Sequence, residues 1–139
     1  MIELDKIINA LEFVNSCIDG YAYYNQDTNQ IYYVGNCINE LEDKDEAFID
    51  DCLILPSKYQ IDEYSMMEEF IETINDTNIY NELSNSIRGN KAFRRFKDSC
   101  YEHNIINEWY KYRDKKYIQL AKSWCDKNHI NYKESEKKI

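Results

Sequence analysis

Ile87-Arg88-Gly89-Asn90-Lys91-Ala92-Phe93-Arg94-Arg95-Phe96-Lys97-Asp98 is the stretch where apolar spacing, turn chemistry and charge change together. Gly89 reads as the residue that closes one helix, because the position after a helix end favours the left-handed conformation that glycine adopts without a steric penalty. Asn90 reads as the cap of the next helix, its side-chain oxygen serving the unpaired amides of the first turn. On that helix Phe93 and Phe96 stand three apart and share a face with Cys100, whereas Arg94 and Arg95 point away from it. The expectation is two rings inside and two guanidinium groups outside.

Working outward, residues 103–106 form a connector. Asn107 can cap a long last helix running to about Asn128, with Trp109, Tyr112 or Tyr110, Tyr117, Leu120, Ala121 and Trp124 inside. The charged tail from residue 133 to residue 139 is expected to fray. On the other side, Ile79, Tyr80, Leu83 and Ile87 mark a short helix, after the break at Asn75-Asp76-Thr77. Before that break Tyr64, Met67, Phe70, Ile71 and Ile74 line one face of a helix that starts at Asp62 or Ser65.

The first part of the chain has a different period. Leu4, Ile7, Ile8, Leu11 and Val14 follow helical spacing to about Ser16, and Asp19-Gly20 stops the helix. Gly20-Tyr21-Ala22-Tyr23-Tyr24 and Gln30-Ile31-Tyr32-Tyr33-Val34 then flank a polar turn in which Asn29 suits a positive φ, which is a hairpin signal. An acid-rich loop or short helix over residues 39–51 leads to a third strand, Cys52-Leu53-Ile54-Leu55, ended by Pro56. The fold class is therefore α+β: an N-terminal helix, a small antiparallel sheet made of a hairpin plus a third strand, and a helical C-terminal half, as one domain over residues 1–139.

Charge is distributed unevenly. Residues 1–85 carry 19 Asp and Glu against 3 Lys, while residues 86–139 carry 7 against 14 Lys and Arg, so a net charge of −9 conceals halves of −16 and +7. No apolar run approaches the ~20 residues that span a bilayer, and the first residues lack the basic-then-apolar order of a signal peptide. Five cysteines, an odd number without a CxxC pair, fit free thiols in a reducing compartment. A cytoplasmic protein without membrane contact is expected.

The middle of the chain resembles a bacterial family known as uncharacterised-protein family 0158. The likeness rests on Leu55-Pro56-Ser57, on Met67 and Phe70 within Met66-Met67-Glu68-Glu69-Phe70-Ile71-Glu72, on Gly89, on Ala92-Phe93-Arg94-Arg95-Phe96-Lys97-Asp98 and on Trp109-Tyr110. The family usually has a second glycine directly before Ala-Phe, where this chain has Lys91. The resemblance implies a bacterial, cytosolic protein and no particular activity.

The basic cluster carries the main functional expectation. Arg88, Lys91, Arg94, Arg95 and Lys97, with Arg113 on the following helix, form a cationic helical surface for an anionic partner. The competing reading is that Arg94 and Arg95 grip the carboxylates of Glu68, Glu69 or Glu72 through the bidentate guanidinium fork. A protein partner is expected, because a net charge of −9 repels nucleic acid at long range. The acids of residues 40–72 suggest an alternative, an inhibitor that imitates a nucleic-acid backbone for a basic partner.

A metal-dependent hydrolase using carboxylates is the third reading. P-loop, GxSxG, HExxH and GxGxxG motifs are absent, so a non-catalytic protein without a cofactor is preferred. Residues 40–46 lack the glycine and oxygen spacing of a calcium loop. Cys100 with His103, and Cys125 with His129, stand at helical spacing and would make a tetrahedral zinc site only if the two pairs met.

Overall fold

Leu4, Ile7, Leu11 and Val14 all lie on the buried side of the first helix, α1 (Leu4–Ser16), as their spacing requires. The computed structural model describes residues 1–35, 38–39 and 51–134. They form two compact units, Met1–Ile61 with Tyr117–Ile139, and Asp62–Lys116.

In the first unit, β1 (Ile2–Glu3) and α1 are followed by β2 (Tyr21–Asn25), β3 (Gln30–Gly35), β4 (Ile38–Asn39), β5 (Leu53–Ile54) and α2 (Lys58–Ile61). The sheet order is β4-β3-β2-β5, antiparallel throughout. The hairpin register pairs Tyr21 with Val34 and Asn25 with Gln30. Its turn is built by Asn25, whose side-chain oxygen accepts from the amides of Asp27 at 2.9 Å and Thr28 at 3.0 Å. Asn29 takes the positive φ, 58°, and its own oxygen accepts from the Tyr24 hydroxyl at 2.7 Å.

Helix α1 lies against β2 and β3, and Phe13 meets Tyr33 edge-on at 4.9 Å. The junction after α1 is tight: a Cβ on Gly35 would stand 2.8 Å from Cys17 Sγ and 3.1 Å from Gly20 Cα, so any side chain there forces its neighbours to shift. Cys17 is disulfide-bonded, which corrects the expectation of five free thiols. Cys52, Cys100 and Cys125 are thiols, so its partner is none of these.

The chain returns to the first unit in the second half of α6 (Ile106–Lys127) and in β6 (Tyr132–Lys133). Strand β6 pairs in parallel with β1, Ile2 opposite Tyr132 and Glu3 opposite Lys133. Lys133 therefore belongs to a strand and not to a frayed tail; residues 135–139 lie outside the described ones, as do the acids of residues 40–50. Trp124 of α6 packs edge-on to Tyr24 at 6.1 Å and donates its indole N–H to the Ile54 carbonyl at 3.0 Å, tying helix to sheet edge.

The second unit is helical: α3 (Glu63–Ile71), α4 (Thr77–Ser86), α5 (Ala92–Glu102) and the first half of α6. Asp62, not Ser65, caps α3, its carboxylate accepting from the Ser65 amide at 3.3 Å and hydroxyl at 2.6 Å. Asp76 caps α4 through the Ile79 amide at 3.1 Å. The interior is aromatic. Phe96 meets Trp109 at 4.9 Å and Phe70 at 6.1 Å, and Phe70 meets Trp109 and Tyr112 at 5.6 Å each. Tyr112 is thus the inward ring of the pair 110 and 112, and Tyr110 is exposed. No helix among the described residues is long and apolar enough to cross a membrane.

Candidate interaction surface

Between α4 and α5 the backbone turns left-handed twice, at Gly89 with φ 79° and at Lys91 with φ 59°. Lys91, and not Asn90, is the N-cap residue of α5, and its side chain caps nothing. A left-handed L-residue is strained by roughly 1–2 kcal/mol, which glycine escapes.

The buried side of α5 is set by Phe96 and Cys100, both fully enclosed. Phe93 was expected beside them and is instead 46% exposed. It sits in the first turn of the helix, at the margin of the face that Phe96 and Cys100 bury. At 100° per residue, Phe93, Lys97, Tyr101 and Arg94 share an outward arc of about 100°. Arg94, Lys97 and Tyr101 are exposed, Tyr101 to 58%. The neighbouring Tyr110 raises the Tyr101 pKa and is itself 38% exposed.

The two central arginines behave differently. Arg95 folds back on the preceding helix, its guanidinium donating to the Arg88 carbonyl at 2.8 Å and the Asn85 carbonyl at 3.3 Å. It adds to the Asn85 carbonyl, which also accepts from the Arg88 amide at 3.3 Å, and to the Arg88 carbonyl just beyond α4, at the end of a helix where positive charge is favourable. Arg94 makes no ion pair among the described residues, and neither do Arg88, Lys91 or Lys97. Asp98, one turn from Arg94, does not reach it.

Of the carboxylates expected to hold these arginines, Glu69 and Glu72 are engaged elsewhere, and among the described residues Glu68 makes no ion pair with either arginine. Glu69 takes Lys116 Nζ at 2.6 Å and the Tyr112 hydroxyl at 3.3 Å. Glu72 accepts from Tyr80 at 2.9 Å. Glu82 stands 2.8 Å from His103 Nε2. Arg113 lies 3.0 Å from Glu63, both largely buried, so this cation is part of the interior of its unit and not of an outward surface. The bond from Lys116 holds the Glu69 carboxyl below its ordinary range, and the same bond pushes Lys116 up.

Among the described residues, no three His, Cys, Asp or Glu side chains gather as a metal-holding group, so the pairs Cys100 with His103 and Cys125 with His129 do not assemble into a tetrahedral site. Burial pushes the Cys100 thiol up to about 12 and the Cys125 thiol up to about 11, which keeps both protonated and poorly nucleophilic at neutral pH. A cavity of about 660 Å³ in the first unit is bordered by Tyr24, Gln26, Asn29, His129, Asn131 and Tyr132, with no Asp, Glu, Lys or Arg among the described residues of its lining. In the second unit Glu68, Glu72 and Arg88 line a smaller cleft.

Tyr101 and Tyr110 were not singled out from the sequence as surface residues. The available signal was the four-residue spacing of Phe93, Lys97 and Tyr101, which places all three on one stripe of a helix.

An α+β chain with an outward stripe of rings and unpaired cations is the class this geometry defines. Residues 1–138 match the model of the Uncharacterised protein family (UPF0158), and the chain belongs to that family. It is similar to a curated UPF0158 protein of Pseudomonas aeruginosa, 27% identical over 66 residues, which cover 47% of this chain and 43% of the relative. The match thus spans less than half the length of that relative. No solved structure matches the chain.

Proposed function

We propose that this protein is a bacterial, cytoplasmic, non-catalytic interaction protein that holds an anionic partner on the outward face of α5. The observation that carries the reading is the group Lys91, Arg94 and Lys97, cations without a carboxylate partner among the described residues, set beside exposed Phe93 and Tyr101.

Helix electrostatics support it. The first turn of α5 has no acidic residue and no side-chain cap, so its unpaired amides and the positive end of the helix dipole lie next to Lys91 and Arg94. Like charges are thereby crowded, and an anion docked there relieves the repulsion. Residues 88–116 hold nine Lys and Arg against four Asp and Glu. Cys52, Cys100 and Cys125 are thiols, as a reducing cytoplasm keeps them, whereas the disulfide at Cys17 runs against that compartment.

The test is retention on immobilised heparin at low salt. The wild-type protein is expected to bind despite its net charge of −9, and R94E/K97E to flow through with an unchanged circular dichroism spectrum. A wild-type protein that is not retained, or a variant retained equally well, refutes the reading.

A further inference from the structure

Charge on α5 accounts for Arg94 and Lys97 but not for the rings among them. Phe93, Tyr101 and Tyr110 are 46%, 58% and 38% exposed, although aromatic side chains gain by leaving water. Phe93 and Tyr101 are eight residues apart on one helix, about 12 Å along its axis, with Lys97 midway. Tyr110, close enough to Tyr101 to raise its pKa, adds a ring from α6 beside the second position. Asp98 and Glu102, the acids of this helix, fall outside the arc of Phe93, Lys97, Tyr101 and Arg94, Asp98 by about 40°.

Ring, cation and ring in sequence match a ligand in which flat faces alternate with negative charges. A single-stranded nucleic acid is such a ligand, since unpaired bases stack on aromatic side chains while phosphates meet Lys and Arg. A duplex keeps its bases stacked on one another and offers the rings nothing. An acidic polypeptide offers carboxylates without flat faces. Long-range repulsion from the acidic remainder of the chain is screened over about 10 Å in 0.1 M salt, so contact on this face is decided locally.

We propose that the outward face of α5 binds single-stranded nucleic acid, with bases stacking on Phe93 and on the Tyr101–Tyr110 pair and phosphates against Lys91, Arg94 and Lys97. The inference rests on the reading of this face as an anion-binding surface and adds the chemistry of the ligand. Nothing on the face reads the sugar, and bases are held by stacking, so little sequence preference accompanies binding.

The experiment is fluorescence anisotropy of a labelled 12-nucleotide oligothymidylate titrated with the full-length chain. Wild-type affinity is expected to fall with salt at a logarithmic slope of about −2, the value for three phosphates neutralised on a single strand. F93A/Y101A, which leaves every charge in place, should lose roughly fivefold or more per ring, whereas Y101F, which keeps the ring, should hold most of the affinity. R94E/K97E should abolish binding, and a blunt duplex of the same length should bind more weakly than the single strand.

Absence of binding to the oligothymidylate, undiminished binding by F93A/Y101A, or equal binding of the duplex overturns the inference. If poly-glutamate binds and the oligothymidylate does not, the partner is an acidic polypeptide: the nucleic-acid inference falls while the anion-binding reading stands. Failure of heparin retention removes both.

Discussion

The two units of this chain use their polar side chains differently. In Met1–Ile61 with Tyr117–Ile139, the described polar groups close structure: Asn25 and Asn29 build the hairpin turn, and Trp124 fastens helix to strand. In Asp62–Lys116 they do this too, through Asp62, Asp76 and Arg95, and a surplus is left over. Arg94, Lys91 and Lys97 serve no internal contact among the described residues, and the nearest rings stay in water. Chemistry exceeding what the fold needs marks a face for function; α5 gathers three such cations and two exposed rings, whereas in the first unit the exposed pair Lys58 and Tyr59 stands on a single turn of helix.

The sharpest way to break that contrast is to remove the interior of the helical unit. Phe96→Ala deletes a fully buried ring that meets Phe70 and Trp109, with an expected loss of about 3–5 kcal/mol in urea unfolding. By contrast F93A, on the same helix, should change stability by less than about 1 kcal/mol, as an exposed position does. Equal losses at the two positions would mean that Phe93 is an interior residue.

The Glu63–Arg113 pair comes next. Glu63→Gln leaves a largely buried guanidinium without its counter-charge and should cost about 3 kcal/mol, while replacing both residues by Met should cost less than the single change. Gly35→Ala probes the first unit. Its new methyl would press on Cys17 Sγ and the Gly20 backbone, with an expected loss of about 1–3 kcal/mol by the same measurement.

Lys91→Gly runs in the opposite direction. Relief of the left-handed backbone should raise stability by about 0.5–1 kcal/mol, although the added freedom of the unfolded chain takes back a part. The same change should weaken heparin retention by removing one cation, separating stability from binding at one residue.

The smallest effect concerns pH. Because the folded state lowers the Glu69 pKa and raises that of Lys116, the contribution of the pair is complete between the ordinary carboxylate and ordinary lysine ranges. It is lost as pH falls through the lowered Glu69 value, and again as pH rises through the raised Lys116 value. Both side chains are substantially exposed, so solvent screening keeps the effect slight. Lys116→Ala should lower the midpoint of urea unfolding a little at pH 7, and by progressively less as pH falls through the lowered Glu69 value.

Local elements were legible because their signals are local. The spacing of Leu4, Ile7, Leu11 and Val14 read as one helix face, and the hairpin turn with Asn29 at positive φ read correctly from residue chemistry. The candidate surface was legible only in part. Arg94 and Lys97 were named from charge and periodicity, but Arg95 lies one residue away with the same chemistry and does a different job, because the end of α4 happens to stand within its reach. Phe93 and Phe96 looked equivalent in spacing and differ wholly in burial.

By itself the sequence determined the periodicities, the turns, the α+β class and the opposition of an acidic and a basic half, since each depends on residues within a few positions of one another. Tertiary structure alone decided the pairing of β1 with β6 across 130 positions, the match of Glu63 with Arg113, and the disulfide state of Cys17. It also decided which cations on α5 remain unpaired. The reason is physical: a charge is satisfied by whatever the fold brings within about 4 Å, and distance in the chain carries no record of that.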